Sequence, residues 1–339
     1  MGAPNCQSFD YEQDLRVSGV VYIHSHGGPE VLQFSDRTLP PPKHGEVQLT
    51  HDHIGVNYVD LIFRAGIFPL RDFPAVLGME GAGRVTEVAD KASRWNVGDR
   101  VAYWTDLGAY AEQRLIDGGQ LVALPDDITT EAAAAVLSKG MLVWALINLI
   151  VEVKPGDIVV VGPAAGGVGT LLTRWLSVSG VRVIGIVGSE HKAAQVRQAG
   201  IEDVVVSAQP GSAGDDIIAI VGARSIDVLF DGVGGPGFAK LWPLVKPGGT
   251  AVLYGHAAGL PLVDPGDLAE RNVRFVQPST GQYVNTPDLV AAGSAAIFDA
   301  LRGGIFGTVA PTVYPLAQAR KAHADIGARR TTGSVLLTP

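Results

Sequence analysis

The alternation of apolar strand-length runs with helix-length segments between residues 157 and 276 most constrains the fold. The runs are DIVVVG (157–162), VRVIGIVG (181–188), DVVVS (203–207), DVLFDGVG (227–234), GTAVLYG (249–255) and VRFV (273–276). Uninterrupted Val, Ile and Leu strands separated by helices are typical of a parallel sheet covered on both faces. We therefore predict a doubly wound nucleotide-binding domain in this region.

The flanking sequence has a different pattern. From about Val17 to Asp127, short strand-like runs alternate with turns rich in Gly, Pro and Asp, which indicates a β-rich domain. Residues 285–339 are too few for a domain of their own and are expected to return to the β-rich part. The prediction is an α/β protein with a β-rich domain from 1–139 and 285–339 and a nucleotide-binding domain from 140–284. Residues 1–16 are expected to form a mobile tail, and the cleft between the domains is the expected site.

Charge and cysteine content exclude several classes of function. The net charge is −8 and no basic block is present, so no nucleic-acid partner is expected. Cys6 is the only cysteine, which excludes an intramolecular disulfide and fits a reducing, cytoplasmic location. The apolar segment 132–151 contains polar residues, which favours a buried helix over a membrane span. The polar, acidic amino terminus does not resemble a secretory signal.

The stretch GPAAGGVG, residues 162–169, follows the first apolar run and precedes a helix-like segment. A turn that binds a pyrophosphate needs a tight bend, close approach of backbone N–H groups and close packing of helix on strand. Ala164, Gly166 and Gly169 provide these features in an AxGxxG pattern. No acidic residue opens the following helix, so its positive amino terminus is available to an anion. A purely structural turn is the alternative, but the position at the start of a βαβ unit favours dinucleotide binding.

The end of the second strand bears on the choice between NAD and NADP. Sites for NAD usually have an Asp or Glu about 20 residues beyond the glycines, where this chain has Val187 and Gly188. Lys192, one helical turn further on, can reach a 2′-phosphate. Glu190 is an alternative partner for a ribose hydroxyl, although it also fits an ordinary first-turn acid after an N-cap at Ser189. We therefore predict NADPH as the cofactor.

The motifs taken together resemble one family. They are IGVNYVDLIFRAG (54–66), LGMEGAGRV (77–85), VGDRVAY (97–103), GAYAEQ (108–113), SKGMLVWALI (138–147), AAGGVG (164–169), GSEHKA (188–193), FDGVGG (230–235) and QPSTGQY (277–283). From about Val17 to the carboxyl terminus, the chain resembles the zinc-free branch of the medium-chain dehydrogenase/reductase superfamily, most closely the NADPH:quinone oxidoreductases related to zeta-crystallin. The resemblance implies a GroES-like β-rich catalytic domain plus a Rossmann doubly wound parallel-sheet domain. It also implies a homodimer in which the strand VRFVQ (273–277) pairs across a two-fold axis.

A metal is not expected. A catalytic zinc in such a fold needs Cys and His ligands. The position that resembles the His-Glu pair of the zinc alcohol dehydrogenases is Met79-Glu80, which lacks the imidazole. His51 and His53 would share a strand face by alternation, but two histidines without a third ligand are more typical of a solvated face.

The resemblance implies a set of cofactor contacts. They are Asn57, Tyr58 and Val59 beside the nicotinamide; Gly166, Gly167 and Val168 at the pyrophosphate; Gly188, Ser189, Lys192 and Ser207 at the 2′-phosphate; Val233, Gly255, His256, Ala257 and Ala258 along the adenosine and ribose; and Pro278, Ser279 and Thr280 near the nicotinamide amide. Arg329 completes the phosphate side, with Arg330 as the alternative. Bacterial relatives often have a tyrosine in place of Ser207, so Lys192 is expected to carry more of the charge. No catalytic residue is assigned, and Asn57 and Asp60 are candidates for positioning.

The expected reaction follows from the missing zinc ligands. Without a metal to polarise an alkoxide, the fold is suited to hydride transfer from NADPH to an acceptor that is already electrophilic, such as a quinone or an enone. Relatives that reduce enoyl thioesters have a tyrosine proton donor, whereas the corresponding positions here are Ile62 and Phe68. This favours a quinone, which Phe63, Phe68 and Phe73 could stack against. A pathway-specific enone reductase and a non-catalytic NADPH-binding protein are the alternatives.

Overall fold

Strands and helices follow one another in two distinct patterns. The computed structural model describes residues 17–90, 94–207 and 212–339; the predicted tail and Cys6 lie outside these residues. The first pattern is mainly short strands: β1 (Val17–Ile23), β2 (Gln33–Thr38), β3 (Glu46–Val56), α1 (Tyr58–Ala65), β4 (Ala75–Val76), β5 (Glu80–Val88), β6 (Arg100–Tyr103), β7 (Gln113–Asp117), β8 (Val122–Ala123) and α2 (Thr130–Ala145).

The second pattern alternates strands with helices. It comprises β9 (Ile158–Gly162), α3 (Gly167–Ser177), β10 (Arg182–Val187), α4 (Glu190–Gln198), β11 (Asp203–Val206), α5 (Gly214–Val221), β12 (Ile226–Asp231), α6 (Gly235–Leu241), β13 (Val245–Leu253), α7 (Pro265–Glu270), β14 (Arg274–Val276), α8 (Thr280–Tyr283) and α9 (Pro287–Arg302). The chain ends with β15 (Thr312–Pro315), α10 (Ala319–Gly327) and β16 (Val335–Thr338).

The six predicted apolar runs form one six-stranded parallel sheet. Its order is β11-β10-β9-β12-β13-β14, and every pairing in it is parallel. Val159, Val160 and Val161 of the central strand have no exposed surface, as expected for a strand with helices on both faces. The strand order reverses between β9 and β12, and ligands of doubly wound sheets bind at this switch point, outside the carboxyl ends of the strands.

The β-rich part forms two further sheets. β2, β1 and β4 make a three-stranded sheet, and the larger sheet has the order β15-β16-β3-β5-β6-β8 with β7 paired to β3. β16 pairs antiparallel with β3, so the last strand of the chain joins the larger sheet of the β-rich part. The fold class, a GroES-like domain with a Rossmann domain, is therefore confirmed.

Helix α2 packs between the two domains. One apolar core runs from Ala102 of β6 through α2 to Val161 of β9, and Phe298 of α9 belongs to it. The predicted boundary after residue 139 falls inside this helix. The helical stretch Thr130–Ile150 is long and apolar enough to span a membrane by length and composition, but 72% of its most apolar window is buried in the protein. The stretch is therefore a core helix, which agrees with the expectation from its polar interruptions.

Candidate cofactor and substrate site

A cavity of about 580 Å³ lies at the switch point of the parallel sheet. Its walls include the carboxyl-terminal residues of β9, β10 and β12, which are Gly162, Val187 and Asp231. The β-rich domain closes the other side with Val56 and Val335 from the ends of β3 and β16. The cleft predicted between the domains is thus a real cavity, bounded by both of them.

The glycine loop has the three features expected of a phosphate-binding turn. A Cβ on Gly169 would lie 1.9 Å from the carbonyl oxygen of Pro163, so only glycine allows α3 to pack this closely on the loop. Ala164 is fully buried, and its methyl group packs against Gly185 of β10. α3 begins after Gly166 with no acidic residue in its first turn. The loop therefore presents a positive helix terminus to the cavity.

Residues of the carboxyl-terminal segment lie across this loop. Gly166 and Gly333 form a parallel bridge, and the Gly333 N–H donates to the carbonyl oxygen of Ala165 over 3.3 Å. Thr331 and Gly333 line the cavity together with the loop. The glycine loop is therefore held from both domains.

The end of β10 forms a cationic corner. A Cβ on Gly188 would meet no atom within 4 Å, so the space beside this residue is open. Ser189 caps α4 by accepting from the Lys192 N–H, and the Lys192 ammonium donates to the carbonyl oxygens of Arg329 and Thr331 over 3.0 and 3.4 Å. Burial and the charge of Arg329 lower the pKa of Lys192. Two cations thus lie together, and neither pairs with an acidic residue in the part of the chain that the structure describes, an arrangement that an anionic ligand would stabilise.

The two adjacent arginines have different partners. Arg329 lines the cavity, whereas Arg330 donates from Nε to Asp325 over 2.9 Å. Arg329 has a φ of 58°, in the left-handed region, so the chain reverses locally at this residue. Ser207 also lines the cavity, and its hydroxyl contacts that of Ser212 at 2.7 Å. Of the two arginine alternatives, the geometry favours Arg329 for the phosphate side.

Asn57 precedes helix α1 as its N-cap and lines the cavity from the β-rich domain. Its side chain accepts from the backbone N–H of Asp60, whose carboxylate in turn accepts from the Asn57 N–H over 2.8 Å, which is a capping box. The Asn57 amide also donates to Glu80 Oε2 over 2.7 Å. Two contacts therefore fix the side chain of Asn57 and a third fixes its backbone, which suits the predicted positioning role.

Asp60 is fully buried and does not reach the cavity wall. Burial raises its pKa to about 7, although hydrogen bonds from Asn57 and the Tyr110 hydroxyl act in the opposite direction. The Tyr110 hydroxyl also contacts His323, whose pKa is lowered to about 3 by burial and by Arg64. Asp60 is therefore connected to the cavity through Asn57, which lines the wall and contacts Asp60 directly.

Lys139 and Glu80 form a buried ion pair that the sequence reasoning missed. Lys139 Nζ lies 3.0 Å from Glu80 Oε2, and the two side chains are 5% and 0% exposed. The Ser138 N–H donates to the other Glu80 oxygen over 2.9 Å. Lys139 lines the cavity, so it brings a positive charge to the end where Asn57 lies.

The end of β12 contributes further residues that were not predicted. Asp231 accepts from the N–H groups of Val233 and Gly234, each over 2.7 Å, and thereby shapes the turn after the strand. Burial raises the pKa of Asp231 to about 6. Tyr254 donates to the Gly162 carbonyl oxygen over 3.2 Å and lines the cavity beside the glycine loop. The FDGVGG motif contained the signal for Asp231, but no role was assigned to that residue.

The structure brings most predicted cofactor residues to the cavity, but not all. Those that line it are Asn57, Tyr58, Gly166, Gly167, Val168, Gly188, Ser189, Lys192, Ser207, Val233, Ala257 and Arg329. Among the described residues, those predicted but absent from its wall are Val59, Gly255, His256, Ala258, Pro278, Ser279 and Thr280.

The residues away from the wall have structural roles nearby. A Cβ on Gly255 would lie 2.7 Å from the Gly232 carbonyl oxygen, so Gly255 allows close packing of two turns. Ser279 caps α8 in a capping box with Gln282. His256 packs edge-on against Phe68, with ring centroids 6.1 Å apart.

Two contacts near Asn57 join the β-rich domain to the turn at residues 256–257. The Tyr58 hydroxyl donates to the Ala257 carbonyl oxygen over 3.2 Å, and Phe68 of the β-rich domain meets His256. Phe68 also packs against Phe63 at 5.5 Å, whereas Phe73 packs against His26. Of the three phenylalanines predicted to stack against a quinone, Phe63 and Phe68 are therefore adjacent.

The histidines are not arranged as predicted. His51 is buried, not solvated, because one ring nitrogen contacts the Ala111 carbonyl oxygen at 2.7 Å and the other contacts the Tyr103 hydroxyl at 2.8 Å. His53 contacts the Thr130 hydroxyl at 3.2 Å. The register of β3 against β5 shifts between the two histidines, so strict alternation does not hold there. Within the described ranges no group of three or more His, Cys, Asp or Glu residues could hold a metal ion.

The parallel sheet with its glycine loop, closed by a β-rich domain, defines a two-domain dehydrogenase or reductase of the dinucleotide-binding class. Residues 43–126 match the family model described as alcohol dehydrogenase GroES-like domain, and residues 167–293 match the one described as zinc-binding dehydrogenase. Together with the full-length relatives described next, these matches show that the chain belongs to the quinone oxidoreductase family of the medium-chain dehydrogenase/reductase superfamily. The predicted family is confirmed.

Three relatives illustrate the match. The chain is 35% identical to quinone oxidoreductase of Pseudomonas aeruginosa over 94% of this chain and 99% of the relative. It is 33% identical to 2-haloacrylate reductase of a Burkholderia species, over 94% of this chain and 98% of the relative. The crystal structure of Escherichia coli quinone oxidoreductase complexed with NADPH superimposes with a TM-score of 0.90 at 31% identity, covering 95% of this chain and 100% of that one.

Proposed function

We propose that this protein is a zinc-independent oxidoreductase that transfers hydride from NADPH to a quinone. The observation that carries the proposal is the cationic corner at the end of β10, where Lys192 and Arg329 lie beside the open space at Gly188. An NAD site would place a carboxylate there. The related enzyme crystallised with NADPH supports the same cofactor.

The residues of the cavity fit NADPH at both ends. The cations are suited to a 2′-phosphate, and the acid-free start of α3 is suited to the pyrophosphate. The reduced nicotinamide supplies a hydride when it is bound. Asn57, fixed by Glu80 and its own capping box, is placed to orient the ring. The contacts of Tyr58 and Phe68 with the turn at 256–257 cover this end and restrict the access of water.

Stopped-flow oxidation of NADPH against a panel of quinones tests the proposal. We expect turnover with at least one quinone, without added metal and in the presence of a chelator, because the described residues contain no cluster that could hold zinc. Failure to oxidise NADPH with any quinone or enone contradicts the proposal, and NADPH binding without turnover would support the alternative of a non-catalytic binding protein.

An enone reductase is the second candidate, and the 2-haloacrylate reductase relative favours it. That name denotes reduction of an unsaturated acid, in which hydride adds to an activated double bond. The value of kcat/KM decides between the candidates: values for enones far above those for quinones would identify the double-bond reductase.

We also propose a cytoplasmic homodimer. β14 lies at the edge of the six-stranded sheet, and such an edge can pair with its copy across a two-fold axis. Light scattering should then give twice the chain mass of 35.4 kDa, and a monomeric mass would contradict the proposal. The cytoplasmic location rests on the single cysteine of the chain.

A further inference from the structure

Lys139 is a buried cation that the proposed hydride transfer leaves without a role. It lies on α2, a helix whose other residues are mostly apolar and buried, and its side chain is 5% exposed. Charged side chains are almost never buried to this extent unless they are paired. Glu80 provides the pair, but that pairing alone does not explain why the ammonium lies at the cavity wall.

The hydrogen bonds of the pair leave the ammonium with donors to spare. Glu80 accepts three hydrogen bonds: from Asn57 and Lys139 at Oε2, and from the Ser138 N–H at Oε1. A lysine ammonium has three N–H donors, and in the described part of the chain only the one to Glu80 has a partner. An unused donor on a buried charged group is costly. The carboxylate is satisfied, whereas the ammonium can still bind an acceptor atom in the cavity.

The glycine loop makes room for this side chain. A Cβ on Gly167 would lie 3.1 Å from Lys139 Cδ and 3.2 Å from Cε, closer than nine in ten Cβ contacts in proteins. The stem of Lys139 therefore crosses from α2 to the first residue of α3. Because Glu80 Oε2 accepts from both the ammonium and the Asn57 amide, the ammonium lies next to Asn57 while its stem lies against the glycine loop.

We propose that Lys139 is a catalytic residue whose ammonium donates a hydrogen bond to the carbonyl oxygen of the acceptor; this role rests on the proposed function. Addition of hydride to the acceptor moves an electron pair onto that oxygen. Lys139 stabilises the developing negative charge, and water then supplies the proton. The acceptor gains one hydride and one proton in total, and the ammonium is unchanged at the end. Met79 and Glu80 stand at the position that resembles the His-Glu pair of the zinc alcohol dehydrogenases. In this chain the glutamate of that pair binds the Lys139 ammonium.

The test compares the wild type with two double variants, Glu80→Gln with Lys139→Met and Glu80→Gln with Lys139→Gln. Removing only one member of a buried ion pair leaves the other uncompensated and costs about 3–5 kcal/mol. Neutralising both members avoids that cost, and the glutamine version keeps a neutral donor if the methionine version does not fold. Lys154→Met is the matched control, because that lysine is 64% exposed and pairs with the exposed Glu152.

Three quantities are measured for each variant: the melting temperature, the Kd for NADPH by calorimetry, and kcat/KM for a quinone. We expect the Kd for NADPH to stay within about threefold of the wild-type value, because in this proposal the ammonium contacts the acceptor and not the cofactor. We expect kcat/KM to fall by about 100- to 1,000-fold in the methionine double variant, the usual loss for one donor to a developing oxyanion. The glutamine double variant should lie between it and the wild type, and Lys154→Met should match the wild type.

Two results overturn the role of Lys139. One is a folded double variant whose kcat/KM stays within about tenfold of wild type. The other is a loss of NADPH affinity as large as the loss of rate, which would mean that the ammonium binds the cofactor instead of the acceptor. A wild type that reduces no acceptor overturns the proposed function together with this role, whereas an active wild type with equally active double variants overturns the role of Lys139 alone.

Discussion

Replacing Lys192 by alanine should weaken the binding of NADPH and leave the binding of NADH nearly unchanged. Two N–H donors of the ammonium are used by the carbonyl oxygens of Arg329 and Thr331. Because a lysine has three donors, one remains for a ligand. That donor lies at the end of β10, where Gly188 leaves open space and a 2′-phosphate would be placed.

The magnitude follows from the loss of one charged hydrogen bond. Such bonds contribute about 1.5–3 kcal/mol, which corresponds to a rise in the NADPH Kd of about 10- to 100-fold. Burial and Arg329 lower the pKa of Lys192, and a phosphate dianion would reverse that shift. Because salt screens such an interaction, the effect should be larger at low ionic strength than at high.

Isothermal titration with NADPH and NADH, for the wild type and for Lys192→Ala, measures the effect. Lys154→Ala is the matched control, since it removes an exposed ammonium that pairs with an exposed carboxylate. An equal loss of affinity for both cofactors would refute the reasoning, because it would show that Lys192 acts by holding the carboxyl-terminal segment and not by binding the phosphate. No loss for either cofactor would refute it as well.

Three further predictions concern the loop, the arginines and the buried carboxyl group. Arg329→Ala should raise the NADPH Kd, while Arg330→Ala, which removes a pairing outside the cavity, should change it little in the same titration. Gly169→Ala should lower the free energy of unfolding by about 1–3 kcal/mol or more in urea denaturation, because the added methyl collides with backbone; Gly188→Ala, which meets no atom, should fold normally. Burial raises the pKa of Asp60 from 3.8 to about 7, so between these values the folded chain binds a proton that the unfolded chain has released. The contribution of Asp60 to stability is then greatest below pH 3.8 and is lost as the pH rises to about 7. Asp60→Asn should remove this fall in the free energy of unfolding, and parallel stability curves for the two proteins would contradict it.

The parallel sheet was predictable because its strands are buried on both faces. Each of the six apolar runs contains a strand or most of one. DVVVS matches β11 to within one residue, whereas β13 begins at Val245, four residues before the run GTAVLYG. β2, with the sequence QFSDRT, was not predicted, because it is a polar edge strand without buried residues. A strand of this kind depends on backbone pairing with β1 and carries no hydrophobic pattern.

The candidate site was predictable where one turn contains all the necessary residues. The glycine loop and the corner at Gly188 are local features, so spacing along the chain was enough to propose them. The choice between Arg329 and Arg330 was left open because the sequence alone does not show which of two neighbouring arginines points into the site. It depends on the left-handed conformation of Arg329 and on the separate pairing of Arg330 with Asp325. His51 was misplaced for a related reason, since its buried partners Tyr103 and Ala111 are distant in sequence.

For Lys139, the sequence indicates that a buried counter-charge is needed but does not identify the residue that provides it. The polar interruption of the apolar segment 132–151 argued against a membrane span, but a lysine within a buried helix also requires a counter-charge in the folded protein. That counter-charge is Glu80, which lies 59 residues earlier in the chain, so no local pattern reveals the pair. Once the pair is known, the position of the ammonium at the cavity wall follows from the missing side chain of Gly167. The glycine that opens α3 therefore has a second consequence beyond the phosphate binding predicted for it, because it admits the side chain whose charge is proposed to act on the acceptor.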